Sequence, residues 1–325
     1  MHVVEHVVES EKGRLVGDLA LPEFAAETGG TAVSALAETS GVADAATHGM
    51  AETGGDALNA GGANAPVQFA AETGGTAVSA LAETSGAPAP AAPSTNNSLA
   101  DAPLPLVIFS HGFNSSGSRG LRFAEAVTRT GFALYGFDFR GGAIESRSEG
   151  NPLEMSVETE CADLAEVVGT MAADSRFDER NVFLFGASFG GLASALVAAR
   201  MPEKIRGLVL HYPGFCIADV VHADFATPGD VPETFHSLSM DVGRVFALDA
   251  WNLDPYAEIG VYGRPVLIAH GTADELVDPR YSQRAAAVYD HADLHLIDGA
   301  GHGFHGAALK EATGYLVSYL ARKRA

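Results

Sequence analysis

Two patterns of hydrophobic and polar positions alternate along most of this chain. One pattern predicts strands and the other predicts helices. Short apolar runs typical of buried strands occupy residues 104–110, 132–139, 181–186, 206–211, 265–270 and 293–298. Most of the segments between them carry apolar residues three or four positions apart, the spacing of a helix with one buried face. Strands that alternate with helices predict a mainly parallel sheet covered by helices on both faces.

Three helices and one hairpin complete this pattern. Residues 2–9 and 13–20 predict two strands around a turn, so we expect eight strands in total. A helix is expected over residues 119–130, and another after Ser156, a helix-capping residue type followed by acidic side chains. The buried face of that second helix is predicted to contain Val157, Cys161, Leu164, Val168 and Met171. The last helix is expected over residues 307–322.

One long segment interrupts the pattern near the N-terminus. Residues 22–103 contain Ala, Gly, Thr, Ser, Glu and Pro with few large apolar residues, and residues 24–41 recur identically at 69–86. Too few apolar side chains are present to offset the entropy of ordering so long a segment. We therefore expect a disordered low-complexity insertion between an N-terminal hairpin (1–21) and the main domain (104–325); a partner-binding repeat module is the alternative.

A second interruption follows the sixth predicted strand. More than fifty residues separate His211 from Pro265, too many for a plain connection. We predict a small cap over about residues 213–256. Some of its aromatic side chains are expected to line a substrate pocket and others to form the core of the cap; these aromatic residues include Phe215, Phe225, Phe235, Phe246 and Trp251.

The stretch Gly186-Ala187-Ser188-Phe189-Gly190 lies between a predicted strand and a predicted helix. This G-x-S-x-G pattern, in a strand–turn–helix context, is typical of a nucleophile elbow with an exposed serine. Side chains at the two glycines would clash with the neighbouring strand and helix. Ser188 is therefore the candidate nucleophile.

A nucleophilic serine requires a base, and the base requires an orienting acid. In this architecture the order along the chain is serine, acid, histidine. Asp274 follows a predicted strand and is the candidate acid, with Asp278 as the alternative. His302 lies in a glycine-rich loop after the last predicted strand and is the candidate base, with His305 as the alternative.

An oxyanion formed at the serine would need two backbone donors. One is expected to be the amide of Phe189, the residue after the nucleophile. The other is expected from the loop His111-Gly112-Phe113-Asn114, and we choose the amide of Phe113. His111 is expected to shape this loop. Asp138 and Arg140 are interpreted as a structural ion pair beside the pocket.

Composition and charge narrow the classes of function. A formal net charge of -21 argues against nucleic acid and anionic membranes as partners. Two cysteines without metal-ligand spacing, and an N-terminus without a basic and apolar leader, predict a cytoplasmic protein without disulfides. No nucleotide-binding or metal-binding motif is present, so no cofactor and no metal are predicted. These features do not determine the oligomeric state.

Taken together, the motifs HGF (111–113), FDFRG (137–141), GASFGG (186–191), HGTADELVD (270–278) and GAGHGF (299–304) resemble the α/β-hydrolase fold family. Within it, the chain is most similar to the bacterial cinnamoyl (feruloyl) esterase-like branch. The resemblance implies an α/β-hydrolase fold with an eight-stranded, mostly parallel sheet and a small cap after the sixth strand. It also implies hydrolysis of carboxylic esters, often short acyl or hydroxycinnamoyl esters.

The chain departs from that family in its insertion and in the loop 141–146, which lacks the usual Gly-x-Gly-x-Ser run.

The motifs and the resemblance together predict a serine esterase that acts on a small-molecule ester. A serine peptidase of the same fold is the first alternative, with Asp224 or Glu233 as an anchor for a peptide terminus. A non-enzymatic scaffold with partner-binding repeats is the second.

Overall fold

The computed structural model describes residues 1–23 and 102–323, in which ten strands form one large sheet and one hairpin. The strands are β1 (His2–Val8), β2 (Leu15–Leu21), β3 (Leu104–Ser110), β4 (Ala133–Phe137), β5 (Phe177–Ala187), β6 (Ile205–His211), β7 (Thr234–Ser237), β8 (Met240–Gly243), β9 (Val266–Gly271) and β10 (Ala292–Ile297). Strands β7 and β8 pair only with each other, and the remaining eight form the sheet in the order β1-β2-β4-β3-β5-β6-β9-β10.

The sheet is antiparallel at one edge and parallel elsewhere. Strand β1 pairs antiparallel with β2, and β2 pairs antiparallel with β4. All pairs from β4 to β10 are parallel. The carboxyl ends of parallel strands all lie at one end of the sheet. The loops after β3, β5, β9 and β10 therefore lie together at that end. The predicted eight-stranded, mostly parallel sheet is confirmed.

Helices cover both faces of this sheet. They are α1 (Ala124–Arg129), α2 (Val157–Ala173), α3 (Phe189–Arg200), α4 (Ile217–Asp224), α5 (Arg244–Ala250), α6 (Pro255–Ile259), α7 (Arg280–Val288) and α8 (Gly306–Ala321). Successive side chains of β3 point to opposite faces of the sheet, so the core has two parts. Leu106 and Ile108 pack in one cluster with residues of α2 and α3. Val107 and Phe109 pack in the other cluster with residues of α1 and α8.

Helix α2 has the predicted start and the predicted buried face. The Ser156 hydroxyl accepts a hydrogen bond from the Thr159 amide at 3.2 Å, and the Thr159 hydroxyl accepts one from the Ser156 amide at 2.7 Å. This reciprocal capping satisfies two amides that have no partner within the helix. The five predicted apolar positions of the helix are all buried.

The segment expected to begin a helix at residue 119 differs from the prediction. The chain forms a 3₁₀-helix over Gly117–Phe123 and becomes α-helical only at Ala124. Gly117 and Gly120 pack too closely for side chains: a Cβ on Gly117 would lie 2.4 Å from the Phe137 backbone, and one on Gly120 2.7 Å from the Phe109 ring. The segment therefore packs closely against the sheet as a 3₁₀-helix, which is narrower than an α-helix.

The segment between β6 and β9 contains two helices, the β7–β8 hairpin and the short helix α6. Phe215 and Phe246 are buried in the core, and Phe225 packs against Phe235 with ring centroids 5.1 Å apart. These aromatic side chains therefore serve packing.

The predicted insertion falls almost entirely outside the described residues, as do its repeats. Cys161 and Cys216, both described, are free. No helix in the described ranges has the length and apolar character needed to cross a membrane.

Candidate active site

The turn between β5 and α3 holds Ser188 in a conformation that few residues other than glycine adopt. Its backbone has φ 53° and ψ -122°. A Cβ on Gly186 would lie 2.4 Å from the Gly190 carbonyl oxygen, and one on Gly190 would lie 2.2 Å from the His111 carbonyl oxygen. The predicted need for glycine at both positions is therefore confirmed, and the close contacts on both sides hold the serine in its strained turn.

Three side chains that lie far apart in the sequence form one hydrogen-bonded chain. Ser188 Oγ lies 2.9 Å from His302 Nε2, and His302 Nδ1 lies 2.8 Å from Asp274 Oδ2. Because a carboxylate only accepts, we assign the His302 proton to Nδ1, which leaves Nε2 to accept from the serine hydroxyl. Asp274 follows β9 and His302 follows β10, so the parallel sheet brings both to the serine.

The environment of Asp274 favours its charged form. Burial alone would raise the pKa of this carboxyl. Hydrogen bonds from His270, His302 and the Val277 amide outweigh burial and hold the pKa below its usual value. The Leu276 and Val277 amides each donate to Oδ1 at 2.9 Å. The carboxylate is thus held in place by its own loop.

His270 also contacts Asp274, a contact that the sequence analysis did not identify. The ring is fully buried, and its Nε2 lies 2.8 Å from the Val277 carbonyl oxygen and 3.2 Å from Asp274 Oδ2. A carbonyl only accepts, so Nε2 carries a proton; for the neutral ring, Nδ1 then accepts from the Ser282 hydroxyl at 2.6 Å. The signal available in the sequence was the position of His270 at the end of a buried strand, four residues before Asp274.

His111 is bound on both sides by backbone groups. Its Nε2 accepts a hydrogen bond from the Phe139 amide at 3.0 Å, and its Nδ1 donates to the Gly112 carbonyl at 2.7 Å. Burial lowers the pKa of this imidazole, which favours the neutral ring. These contacts agree with the expectation that His111 shapes the loop.

The loop after β3 lies directly beside the serine. A Cβ on Gly112 would lie 3.1 Å from the Ser188 Cβ. The Asn114 amide donates to the Gly142 carbonyl at 3.0 Å, and the Asn114 side chain donates to Ser239 in the cap. The loop is therefore tied both to the segment after β4 and to the tip of the β7–β8 hairpin.

The two amides expected to bind an oxyanion have no backbone partner among the described residues. The amide of Phe189 belongs to the first residue of α3, where no carbonyl of the same helix precedes it. The amide of Phe113 lies in the loop that Gly112 brings to Ser188. The rings of Phe113 and Phe189 meet edge to face with centroids 6.1 Å apart.

The alternative residues are placed differently. Asp278 forms an ion pair with Arg280 at 2.8 Å, and neither of its carboxylate oxygens bonds to His302. His305 is exposed and lies at the start of α8, where it lines the cleft. The expected pair of Asp138 and Arg140 is wrong. Arg140 binds Asp163 and Glu166 on α2, whereas Asp138 binds Arg147.

His211, at the end of β6, is a buried histidine whose ring nitrogens have no hydrogen-bond partner in the described structure. Burial among Phe123, Phe185 and Phe304 lowers its pKa to about 3, so the ring is neutral. Its carbonyl accepts a hydrogen bond from the Ser188 amide at 3.0 Å. This residue therefore links the elbow to the core.

A cleft of about 500 Å³ opens at Ser188 and His302. Its other lining residues are Phe109, His111, Gly112, Phe113, Ser115, Arg119, Arg122, Phe123, Tyr212, Leu238, Ser239, Leu276, Gly303 and His305. The cap contributes only the turn Leu238-Ser239, which corrects the expectation that cap aromatics line the pocket. Within the described ranges, no group of three His, Cys, Asp or Glu side chains is placed to hold a metal ion.

Comparison of the sequence with protein families finds a match over residues 101–237 to a family described as "Serine aminopeptidase, S33". Two uncharacterized 31.7 kDa Escherichia coli proteins of the traX-finO intergenic region are 33% identical over 108 residues and 37% identical over 120 residues. These alignments cover 32% and 36% of this chain, and 36% and 40% of the E. coli proteins. The chain thus matches well under half the length of these relatives.

Several solved structures share the fold. Est1E from Butyrivibrio proteoclasticus has a TM-score of 0.65 at 16% identity over 98% of both chains. Est1E with ferulic acid bound has a TM-score of 0.62 at 22% identity, over 71% of this chain and 92% of that one. The α/β hydrolase GrgF from Penicillium sp. sh18 has a TM-score of 0.63 at 11% identity over 99% of both chains. The sheet of this chain, the elbow after β5 and these similarities show that the chain has the α/β-hydrolase fold.

Proposed function

We propose that this protein is a serine hydrolase that cleaves carboxylic esters through an acyl-enzyme. The hydrogen-bonded chain from Ser188 through His302 to Asp274 carries this proposal. It combines a serine hydroxyl on a strained elbow, a histidine nitrogen placed to accept its proton, and a buried carboxylate that fixes the histidine tautomer.

In the proposed mechanism, Ser188 Oγ attacks the ester carbonyl carbon while His302 Nε2 accepts the hydroxyl proton. Asp274 stabilises the resulting imidazolium. The amides of Phe113 and Phe189 donate to the oxyanion of the tetrahedral intermediate. The alcohol leaves with the proton from His302, and water then releases the acid by the same steps.

Short acyl and hydroxycinnamoyl esters are the proposed substrates. The resemblance to the cinnamoyl esterase-like branch, the fold shared with Est1E, which was solved with ferulic acid bound, and a cleft of about 500 Å³ support this class. The cleft also has apolar walls at Phe113, Leu238 and Leu276, which suit an acyl chain or an aromatic ring.

A serine peptidase activity is the second candidate, because the matching family is described as serine aminopeptidases. The expected anchors for a peptide terminus do not favour it. Glu233 pairs with Arg244, and neither Asp224 nor Glu233 lines the cleft.

The test measures initial rates on 4-nitrophenyl acetate, butyrate and octanoate, methyl ferulate and an aminoacyl 4-nitroanilide. We expect ester hydrolysis by the wild type and a loss of about six decades in kcat in Ser188→Ala, as for a serine that acts as one unit with its base. Ser318→Ala, an exposed helix residue, is the control for serine removal. Ester hydrolysis that survives in Ser188→Ala would overturn the proposal, and hydrolysis of the anilide alone would favour the peptidase.

A further inference from the structure

One wall of the cleft is built by the 3₁₀-helix Gly117–Phe123, and its geometry aligns two arginines. A 3₁₀-helix has three residues per turn, so side chains three positions apart lie in line. Gly117, Gly120 and Phe123 form the buried row of this helix. Arg119 and Arg122 form a neighbouring row, and both line the cleft together with Ser188.

The protein holds this row in a fixed position. The amide of Gly117 donates to Asp138 Oδ1 at 2.8 Å, and Asp138 is itself buried and bound to Arg147. Gly120 packs against the Phe109 ring, with no room for a Cβ. The helix therefore cannot rotate about its axis without losing these contacts, and the two arginines stay on the side of the cleft.

Neither arginine is paired with an acid among the described residues. Arg122 has one long contact, 3.5 Å to the Phe304 carbonyl oxygen, and Arg119 forms no ion pair with any residue that the structure describes. Among the described residues that line the cleft there is no aspartate or glutamate. By contrast, Arg140, Arg147 and Arg200 are each paired with two carboxylates.

Both charges act on a side chain that packs against the proposed base. Tyr212 packs against the His302 ring with centroids 4.7 Å apart. Burial raises the pKa of the Tyr212 hydroxyl to about 12, and the positive charges of Arg122 and Arg119 act against that rise. The chain has 41 acidic and 20 basic residues, so an acid-free, positively charged wall beside Ser188 is a local exception to its overall charge.

We propose that the cleft selects esters that carry an anionic group, a carboxylate or a phosphate, which Arg119 and Arg122 bind while the ester carbonyl lies at Ser188. Guanidinium groups bind both anions through paired N–H donors. This inference rests on the proposed esterase function and specifies the substrate class of the same site.

The test compares esters of matched length with and without the charge. On the acyl side they are mono(4-nitrophenyl) adipate, its analogue with a terminal phosphonate, and 4-nitrophenyl hexanoate; on the alcohol side they are 4-acetoxybenzoate and its methyl ester. For at least one charged ester, the ratio of its kcat/KM to that of its neutral partner should fall by about tenfold or more in Arg119→Gln/Arg122→Gln, the effect expected for lost charge-assisted hydrogen bonds. The adipate and phosphonate arms distinguish a carboxylate from a phosphate ligand.

The control variant is Arg180→Gln/Arg206→Gln. These exposed arginines form no ion pair in the described structure and lie towards the amino ends of β5 and β6, away from Ser188. This variant changes the net charge equally and should keep the wild-type ratio. A second measurement needs no variant: raising NaCl from about 0.01 to about 0.5 M should lower kcat/KM for the preferred anionic ester more than for its neutral partner, because salt screens exposed charges.

The two proposals fail differently. If neutral esters are cleaved in a Ser188-dependent reaction but no anionic partner loses rate in Arg119→Gln/Arg122→Gln, the esterase function stands and the anion site is overturned. An equal loss in the Arg180→Gln/Arg206→Gln control would also overturn the site, because the effect would then be one of net charge. If no ester is cleaved by the wild type, both proposals are wrong.

Discussion

At the scale of single residues, the elbow shows how neighbours impose an unfavourable conformation. Ser188 has a positive φ although it is not glycine, which costs about 1–3 kcal/mol. Gly186 and Gly190 are required because the chain passes within contact distance on both sides, and neither has a positive φ itself. Sequence alone predicted these glycines, and the distances explain them.

His270 gives a prediction at this scale. It donates to the loop and lies against Asp274, so His270→Asn should misplace the carboxylate without touching the substrate. We expect kcat to fall by about tenfold or more with little change in KM, the cost of weakening a hydrogen bond to a charged group. Steady-state kinetics on 4-nitrophenyl butyrate measure kcat and KM separately.

His236→Asn is the matched control, since His236 is exposed and pairs with Asp241 on the cap hairpin. It should leave kcat unchanged. A folded His270→Asn protein, as judged by circular dichroism, with the wild-type kcat would show that Asp274 is held by its amide donors alone.

At the scale of elements, helix α2 buries more than its apolar face. Glu160 and Asp163 are also buried. Asp163 is paired with Arg140, whereas both carboxyl oxygens of Glu160 lack a partner in the described structure. Helical periodicity does not predict that these acidic residues are buried. It indicates on which side of the helix a side chain lies, but not which residues of other elements pack against it.

Glu160 makes the stability of the protein depend on pH. Burial, with a smaller effect of Asp163, raises the pKa of Glu160 well above its ordinary value of 4.5, so the folded state favours the neutral acid. The unfolded chain ionises from about pH 4.5 upward. The stability contribution of Glu160 is therefore present below that pH and is lost as the pH rises towards the folded-state pKa.

We expect the free energy of unfolding of the wild type, relative to Glu160→Gln, to fall as the pH rises above about 4.5. The slope is about 1.4 kcal/mol per pH unit until the folded-state pKa is reached. Urea denaturation at several pH values measures it, and Glu154→Gln, at an exposed carboxyl, supplies the baseline. A wild-type curve parallel to that of Glu160→Gln would mean that Glu160 is ionised in the fold.

At the scale of the whole molecule, the long segment between β2 and β3 joins two neighbouring parts of the sheet. Ala20 pairs with Leu134 on β4, and Leu106 pairs with Ala133. The end of β2 and the start of β3 therefore lie at the same end of the sheet, and only β4 lies between them. Two strand spacings amount to about 10 Å.

Replacing residues 24–101 with a Gly/Ser linker of about six residues should preserve the fold and the ester hydrolysis, because such a linker spans that distance with ease. All residues proposed for catalysis lie outside the removed segment. We expect kcat/KM within about twofold of the full chain, measured on 4-nitrophenyl butyrate with Ser188→Ala in the shortened chain as the control. A folded shortened protein that hydrolyses no ester would show that the segment contributes to the site.

The sequence by itself determined the order along the chain of the eight strands of the main sheet and the elbow glycines, and it identified Ser188, Asp274 and His302 as the candidates for catalysis. These follow from periodicity, turn residues and the order of loops along the chain, all of which are local. Only the tertiary structure decided that His270 lies against Asp274 and that Asp138 and Arg140 have separate partners. It also decided that a 3₁₀-helix aligns Arg119 with Arg122 beside the serine. Each of these depends on contacts between residues that packing brings together, and a linear pattern does not record such contacts.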